Sequence, residues 1–224
     1  METSLHRQLK QLYAERGAHV EVPLNSYRID VICDGELIEI QHGSLAAIRR
    51  KVLDLLRSHR VLVVKPIIRR KRLVKRQTRG GKVVGSRMSP KRGTVIDLFD
   101  ELIYFTRVFP HRNLVLDVPL VDVEEWRHPG HGGRRRWRRT DHQVEDQRLV
   151  AVHRVHRFRT PGDLLQLVPH DLPDPFHTGH LAAAMDVPRP MAQRIAYCLR
   201  HMGAVSEVGK KGNARLYSTG RRAA

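Results

Sequence analysis

Two acidic residues stand in a segment whose other side chains are mostly apolar. Asp30 and Glu39 lie in the stretch YRIDVICDGELIEIQ, separated by Asp34-Gly35. Asp-Gly between alternating apolar runs is a strong hairpin signal and predicts a two-residue I′ turn. In that register Asp30 faces Glu39, and like charges in opposed positions are destabilising unless something positive lies between them. The spacing therefore predicts a cation site on this face of the hairpin.

The two faces of the hairpin differ in character. The face opposite the acids is apolar and is the expected core face, with Ile29, Val31, Ile38 and Ile40. Gln41 returns to the acidic face, opposite Arg28. A hairpin with one wet face would alternate in the same way. Ile32 and Leu37 share the acidic face, however, and a wet face needs no two acids in register.

Composition restricts the function classes. The 224 residues carry a formal net charge of +18, which predicts a polyanionic partner. That partner is either nucleic acid or an anionic membrane surface. The chain has no long apolar run and a polar N-terminus, METSLHRQLK, so we expect no membrane partner and a cytoplasmic protein associated with nucleic acid. Cys33 and Cys198 lie in different predicted domains, and the histidines lack ligand spacing, so neither a disulfide nor a zinc site is predicted.

Helical and strand patterns surround the hairpin. Apolar spacing predicts a first helix over about Thr3 to Arg16, and Val20 to Leu24 is an extended stretch expected to pair with the hairpin. Ser44 is the expected N-cap of a second helix, and Val61 to Val64 is a buried strand. The predicted order is helix, three strands, helix, strand.

The first predicted domain spans residues 1–127. After the buried strand it continues with a basic segment, which is followed by a predicted helix and a predicted strand. Residues 66–92 contain no acid and are predicted to form a hairpin around Gly80-Gly81. Thr94 to Phe109 has the spacing of a helix, and Leu114 to Val123 that of a strand.

Asp on the second strand and Glu-x-Gln on the third, between two helices, resemble the PD-(D/E)XK nuclease superfamily over about residues 2–66. The resemblance implies a restriction-endonuclease-like α/β fold. It also implies Mg²⁺ or Mn²⁺ bound by Asp30, Glu39 and the main chain of Ile40, ligands that suit a hard cation. Many members place a Glu in the first helix, for which Glu2 is preferred to Glu15.

The third position of the motif departs from the family pattern, which usually has Lys there. Gln41 can orient a water but supplies no positive charge. Gln occurs in members that remain nucleases, and Lys51 in the following helix is a candidate replacement cation. The implied chemistry is metal-assisted phosphodiester hydrolysis, with catalytic roles for Asp30, Glu39, Gln41, Glu2 and Lys51.

A Gly- and Arg-rich stretch, HPGHGGRRRWRRT, marks a predicted linker at 128–146, either a disordered basic segment or a phosphate-binding arm. The C-terminal domain, 147–224, is predicted to begin with a helix near Gln147 to His156, followed by helices from Thr160 and Thr178. A turn at Val187-Pro188, a longer helix and two strands around residues 209–212 complete it. This order resembles winged-helix DNA-binding domains.

In winged-helix domains the second helix of the motif enters the major groove and the wing touches the DNA backbone. The resemblance implies DNA contacts from Arg189, Gln193, Arg194, Arg200, Lys210, Lys211 and Arg215. Some winged helices bind protein instead, and the charge favours DNA. Further cations are expected to follow phosphates with little sequence preference: Arg49, Arg50, Arg69, Arg70, Lys71, Arg72, Lys75, Arg76, Arg134, Arg135 and Arg136.

The sequence thus predicts a metal-dependent DNA endonuclease targeted by a winged helix to duplex or branched DNA. One alternative is a DNA-binding scaffold or regulator whose nuclease fold has lost catalysis, with Gln41 as the mark of that loss. Another is an RNA-associated basic protein, although 5% aromatic residues is low for stacking on single strands. Many nucleases of this fold act as dimers, so a homodimer is compatible with this prediction.

Overall fold

The computed structural model describes residues 3–14, 17–130 and 142–220. Glu2, Glu15 and the arginines at 134–136 lie outside the described residues. The chain forms two compact units that alternate along the sequence, whereas the sequence predicts consecutive domains. The first unit consists of Met1–His42, Val64–Val95 and Val118–His156, and the second of Gly43–Val63, Ile96–Asp117 and Arg157–Ala224.

The helices are α1 (Ser4–Tyr13), α2 (Arg49–Leu55), α3 (Phe99–Leu102), α4 (Pro161–Leu165), α5 (Thr178–Met185) and α6 (Arg189–His201), with 3₁₀ helices at Leu45–Ile48 and Val95–Leu98. The strands are β1 (His19–Leu24), β2 (Tyr27–Cys33), β3 (Glu36–Ile40), β4 (Arg60–Val64), β5 (Ile67–Arg76), β6 (Val83–Met88), β7 (Leu114–Pro129), β8 (His142–Phe158), β9 (Ser206–Lys211) and β10 (Ala214–Ser218). No helix in the described part of the chain is long and apolar enough to cross a membrane.

The fold is mixed α/β, which confirms the predicted class. The element order α1, β1, β2, β3, α2, β4 is also the predicted one. The main sheet has eight strands in the order β1-β2-β3-β4-β7-β5-β6, with β8 paired to β7. Its β1-β2, β2-β3 and β5-β6 pairs are antiparallel, and its β5-β7 pair is parallel. β9 and β10 form a separate antiparallel sheet.

The β2–β3 hairpin has the predicted register and turn. Val31 pairs with Ile38. Both turn residues, Asp34 and Gly35, have positive φ (47° and 74°), as a I′ turn requires. The predicted core face is buried, because each of its four apolar side chains is at most 4% exposed: Ile29, Val31, Ile38 and Ile40.

Helix α1 packs against β2 and β3 of the first unit. Leu5 and Leu9 on its inner face are completely buried. The N-cap is Thr3, whose hydroxyl accepts a hydrogen bond from the His6 amide at 3.3 Å. His6 and Lys10 are four residues apart and therefore lie on one side of the helix. Helix α1 therefore brings a histidine and a lysine to the hairpin.

The strands after Pro66 agree with the prediction in part. β5 and β6 form the predicted basic hairpin, and β7 includes the predicted strand from Leu114. The prediction of a helix near Gln147 to His156 is wrong, because these residues belong to β8, which pairs with β7. β8 contains four valines, and β-branched side chains favour extended backbone. Pairing with β7 therefore outweighs the helical spacing of the apolar residues.

Two helices of the second unit differ from the prediction. Ser44 caps as predicted, accepting a hydrogen bond from the Ala46 amide at 3.3 Å, but the first turn after it is 3₁₀. The predicted helix from Thr94 to Phe109 stops at the end of α3, and turns follow. Phe105 and Phe109 remain completely buried. The burial pattern thus continues where the helical hydrogen bonds end.

The C-terminal elements of the second unit follow in the predicted order. α4 begins with a capping box, in which Thr160 and Asp163 bond to each other's amides. On α6, Ile195 and Leu199 are completely buried. The β9–β10 turn lies at residues 212 and 213, because Lys211 pairs with Ala214, rather than across 209–212.

A histidine caps α5. The Nδ1 atom of His177 accepts hydrogen bonds from the amides of Gly179 and His180, at 3.0 and 3.2 Å. The imidazoles of His177 and His180 are stacked, with centroids 3.7 Å apart. Burial lowers the pKa of His177, and the charges of His180, Arg189 and Lys211 lower it further. A protonated Nδ1 accepts no hydrogen bond, so the cap exists only in the neutral form.

The stability of the protein is therefore expected to fall as the pH drops below about 6.5, where the unfolded chain takes up a proton at His177 that the folded chain resists. His177→Asn keeps a good N-cap acceptor without a titrating group. Urea unfolding at several pH values should give a shallower loss of stability for this variant. Parallel pH profiles for the two proteins would contradict the assignment.

Candidate functional site

Asp30 lies between the first helix and the hairpin. Its Oδ2 accepts a hydrogen bond from the Ile40 amide at 2.8 Å, and its Oδ1 lies 3.1 Å from His6 Nε2. An ionised carboxylate only accepts hydrogen bonds, so His6 Nε2 carries the proton in this contact. The carboxylate is thus fixed by α1 on one side and by β3 on the other.

The surroundings of Asp30 keep it ionised. Burial raises the pKa of its carboxyl, but hydrogen bonds from His6 and Ile40 and the charges of His6 and Lys10 bring the pKa below the ordinary value overall. Lys10 is 4% exposed and pairs with Glu21. Asp30 is therefore negatively charged at neutral pH although it is largely shielded from water.

Glu39 is the second acid of the hairpin and is only 4% exposed. The β2–β3 ladder pairs Ile32 with Leu37, and since side chains alternate along a strand, Asp30 and Glu39 lie on the same face as these two residues. Gln41 follows the end of β3, where its amide donates to the Val64 carbonyl at 2.8 Å. The structure therefore places two acids on one face, with the main chain of Ile40 in contact with the first.

Three residues near this site were missed by the sequence analysis: His6, His42 and Lys65. Lys65 directly follows β4, is 5% exposed, and donates a hydrogen bond to the His42 carbonyl at 3.1 Å. Lysine is almost never so buried unless it is paired. The signal in the sequence is its position directly after the buried run Val61–Val64.

His42 lies among charged groups of the first unit. Burial lowers the pKa of its imidazole, and the positive charges of Lys65, Lys71 and His6 lower it further, against an opposite effect of Glu125. The imidazole is therefore neutral at pH 7. Lys71 on β5 is itself paired with Glu125 on β7.

Asp30 and Glu39 carry carboxylate oxygens of the kind that suits a hard cation, and the carbonyl of Ile40 is the third ligand that the family resemblance implies. Within the described residues, no group of three or more His, Cys, Asp or Glu side chains is arranged to hold a metal ion. Glu2, the remaining predicted acid, lies outside the described ranges. Lys51 lies on α2 in the second unit, and its role stays a prediction.

Several predicted phosphate contacts of the first unit are paired with acids. Arg69 bonds to both carboxylate oxygens of Asp122, at 3.0 and 2.8 Å, and Arg76 pairs with Glu145 at 2.9 Å. Arg76 also lies over Trp126, 4.4 Å from the ring centroid. These arginines therefore link strands of the sheet to one another. Among the cations predicted to follow phosphates outside the winged-helix contacts, the described ones that are exposed are Arg49, Arg50, Arg70, Arg72 and Lys75.

The predicted DNA contacts of the C-terminal segment converge on one cleft of the second unit. This cleft lies between α6 and the β9–β10 hairpin and has a volume of about 710 Å³. Of the seven predicted residues, five line it: Arg189, Gln193, Arg200, Lys211 and Arg215. Five further lining residues were missed by the sequence analysis: Thr178, Tyr197, Asn213, Ala214 and Tyr217.

The charge of this cleft is mainly positive. Arg200 and Arg215 share one acid, Glu207, at 3.2 and 3.1 Å. The other two predicted residues do not line the cleft: Arg194 pairs with Asp100 at 3.0 Å, and Lys210 is exposed on β9. Four cations with polar neighbours are a suitable surface for a phosphate backbone.

A protein of Treponema pallidum (strain Nichols), described as "Uncharacterized protein", is 30% identical over 218 residues, which covers 96% of this chain and 84% of that protein. No solved structure shows significant similarity. Residues 3–159 match the family described as "Domain of unknown function (DUF8091)". The matched range contains the acidic pair and ends just before Thr160, the N-cap of α4. The chain therefore belongs to the DUF8091 family.

Proposed function

We propose that the protein is a metal-dependent DNA endonuclease, with a PD-(D/E)XK-like core from α1 to β4 and a C-terminal winged helix that delivers it to DNA. The observation that carries the proposal is the acidic pair of the hairpin in a chain of net charge +18: Ile32 pairs with Leu37, and the alternation of side chains puts Asp30 and Glu39 on that same face. Two ionised acids on one face repel each other and also repel phosphate. A divalent cation between them removes both repulsions.

The residues present fit Mg²⁺ or Mn²⁺. Mg²⁺ is usually held by one or two carboxylates and keeps several waters, so Asp30, Glu39 and the Ile40 carbonyl suffice. Each Asp30 oxygen already accepts one hydrogen bond, but a carboxylate has about four acceptor positions, which leaves capacity for an ion. When bound, the ion polarises the phosphoryl group and lowers the pKa of a water.

The protein's own groups prepare this site. His6 and the Ile40 amide orient Asp30 and keep it ionised. Gln41 can orient a water by hydrogen bonds but supplies no charge. Lys65 donates a hydrogen bond to the carbonyl of His42, which is the residue after Gln41. It thereby puts a buried positive charge at this end of β3. We assign to Lys65 the stabilisation of negative charge for which the family usually has Lys at the Gln41 position.

The C-terminal cleft supports DNA targeting. α6 presents Arg189 and Gln193, and the β9–β10 hairpin presents Lys211 and Arg215, to the same opening. In winged helices these two elements meet the major groove and the backbone. Binding through phosphates predicts affinity that falls steeply with salt.

The test uses the full-length protein with plasmid, linear duplex and four-way junction DNA, each with Mg²⁺, Mn²⁺ or EDTA. We expect cutting with either metal and none with EDTA. The relative rates on the three substrates identify the preferred DNA structure.

If every substrate stays intact with both metals while the protein binds DNA, catalysis is rejected. The second candidate, a DNA-binding scaffold with a nuclease-like fold, then replaces it, and Gln41 is the residue that favours it. Competition with RNA of the same length in the binding assay tests the third candidate, because tighter binding to RNA would point to an RNA-associated protein.

A further inference from the structure

A second basic pocket lies in the first unit, between the β5–β6 hairpin and the adjoining ends of β7 and β8. Its volume is about 320 Å³, which is at the lower end for small-molecule sites. Four cations line it: Lys75, Arg76, Arg87 and Arg127. Leu73 and Val84 contribute apolar wall. The pocket therefore joins positive charge to an apolar surface within one small volume.

Two of the four cations are fixed by acids. Arg76 pairs with Glu145 at 2.9 Å, and Arg127 pairs with the buried Glu125. Because these acids hold the guanidinium groups in place, little side-chain entropy is lost when a ligand binds between them.

The other two cations are available to an anion. In the described part of the chain, Lys75 and Arg87 form no ion pair, and both are exposed. Lys75 pairs across the β5–β6 ladder with Gly85, and a Cβ at Gly85 would meet no atom within 4 Å. The pocket is thus open on the side where Lys75 lies.

We propose that this pocket binds a nucleotide, with its phosphate on Lys75 and Arg87 and its base against Leu73 and Val84. An inorganic anion would use the cations alone, and a nucleoside the apolar wall alone. Lys75 lies roughly 13 Å along β5 from Lys71, at about 3.3 Å per residue, so the pocket is separate from the charged groups around His42. The inference goes beyond DNA cleavage and does not depend on it.

The test is isothermal titration of the full-length protein with deoxyadenosine 5′-monophosphate, inorganic phosphate and deoxyadenosine, all in EDTA. We expect the nucleotide to bind at least about tenfold more tightly than either fragment, the effect of one stacked or buried base. Arg87→Ala and Gly85→Glu, which puts a carboxylate opposite Lys75, should each weaken binding at least about tenfold. The matched controls are Gly85→Gln and Arg79→Ala. Arg79 is exposed near the turn of the same hairpin and does not line the pocket.

Equal affinity for phosphate and nucleotide would overturn the proposal, and so would nucleotide binding that Arg87→Ala and Gly85→Glu leave unchanged. A competition arm distinguishes two sources of the nucleotide. Displacement by a single strand with a 5′-phosphate, but not by a blunt unphosphorylated duplex, assigns the pocket to a strand end. If the mononucleotide binds and neither DNA displaces it, the pocket is assigned to a free nucleotide. Since no metal is present, failure here leaves the proposed cleavage untouched.

Discussion

Replacing Asp30 by asparagine is expected to lower the rate of metal-dependent DNA cleavage by about 100-fold or more, while DNA binding is retained. Asparagine has nearly the same shape and its Oδ1 can still accept from the Ile40 amide. What it removes is the negative charge that a divalent cation requires. Glu39→Gln, at a buried position on the same face of the hairpin, is expected to have an effect of the same order. Rates are measured on the preferred DNA, and binding by fluorescence anisotropy.

The matched control is Asp34→Asn in the same hairpin. Asp34 is exposed at the turn with φ of 47°, and Asn-Gly favours a I′ turn as strongly as Asp-Gly does. This variant loses the same charge a few residues away and should cut at the unchanged rate. If the Asp30→Asn variant cuts DNA as fast as the Asp34→Asn variant, Asp30 is not part of the cleavage site.

The hairpin was predictable from the sequence because its signals are local. Asp34-Gly35 fixes the turn, the turn fixes the register, and the register puts Val31 opposite Ile38. With a side-chain period of two, the buried and the acidic faces then follow. The predicted α/β order of elements up to β4 rests on equally local caps and apolar runs.

The failures came from contacts between distant parts of the sequence. β8 was predicted to contain a helix, because its pairing partner β7 stands earlier in the chain and leaves no mark within residues 147–156. Lys65 was missed because its burial depends on the His42 carbonyl, 23 residues away. His6 was missed because its spacing on α1 does not reveal that Asp30 lies beside it.

The interleaved units were missed for a related reason. Three of the five points at which the chain passes between them lie within strands, since β4, β7 and β8 each have residues in both. A strand that continues from one unit into the other carries no Gly- or Pro-rich break. Linker composition therefore predicts no boundary there.

Replacing Glu125 by alanine is expected to lower the free energy of unfolding by about 3 kcal/mol, the usual cost of breaking a buried ion pair. Glu125 is 2% exposed and accepts hydrogen bonds from Lys71, Arg127 and, at 2.8 Å, Gln147. Without it, two partly buried cations face each other without a counter-charge. Urea unfolding followed by circular dichroism measures the loss.

The neighbouring Glu124 provides the control for this prediction. Its contact with Arg72 is 3.9 Å long and partly exposed, so Glu124→Ala should cost about 1 kcal/mol or less. An equal loss in both variants would show that the Glu125 cluster has no special weight.

The same cluster gives a pH dependence whose sign follows from the pKa of Glu125. Burial raises this pKa, but hydrogen bonds from Lys71, Gln147 and Arg127 and the charge of Lys71 bring it below the ordinary value overall. The ionised form therefore stabilises the fold above about pH 4.3, the ordinary Glu pKa, and this contribution is lost as the pH falls through the lowered value. The difference in unfolding free energy between the unchanged protein and Glu125→Gln should be largest near pH 7 and shrink in acid. A difference that stays constant from pH 7 to pH 3 would mean that the carboxylate charge contributes nothing and that shape alone holds the cluster together.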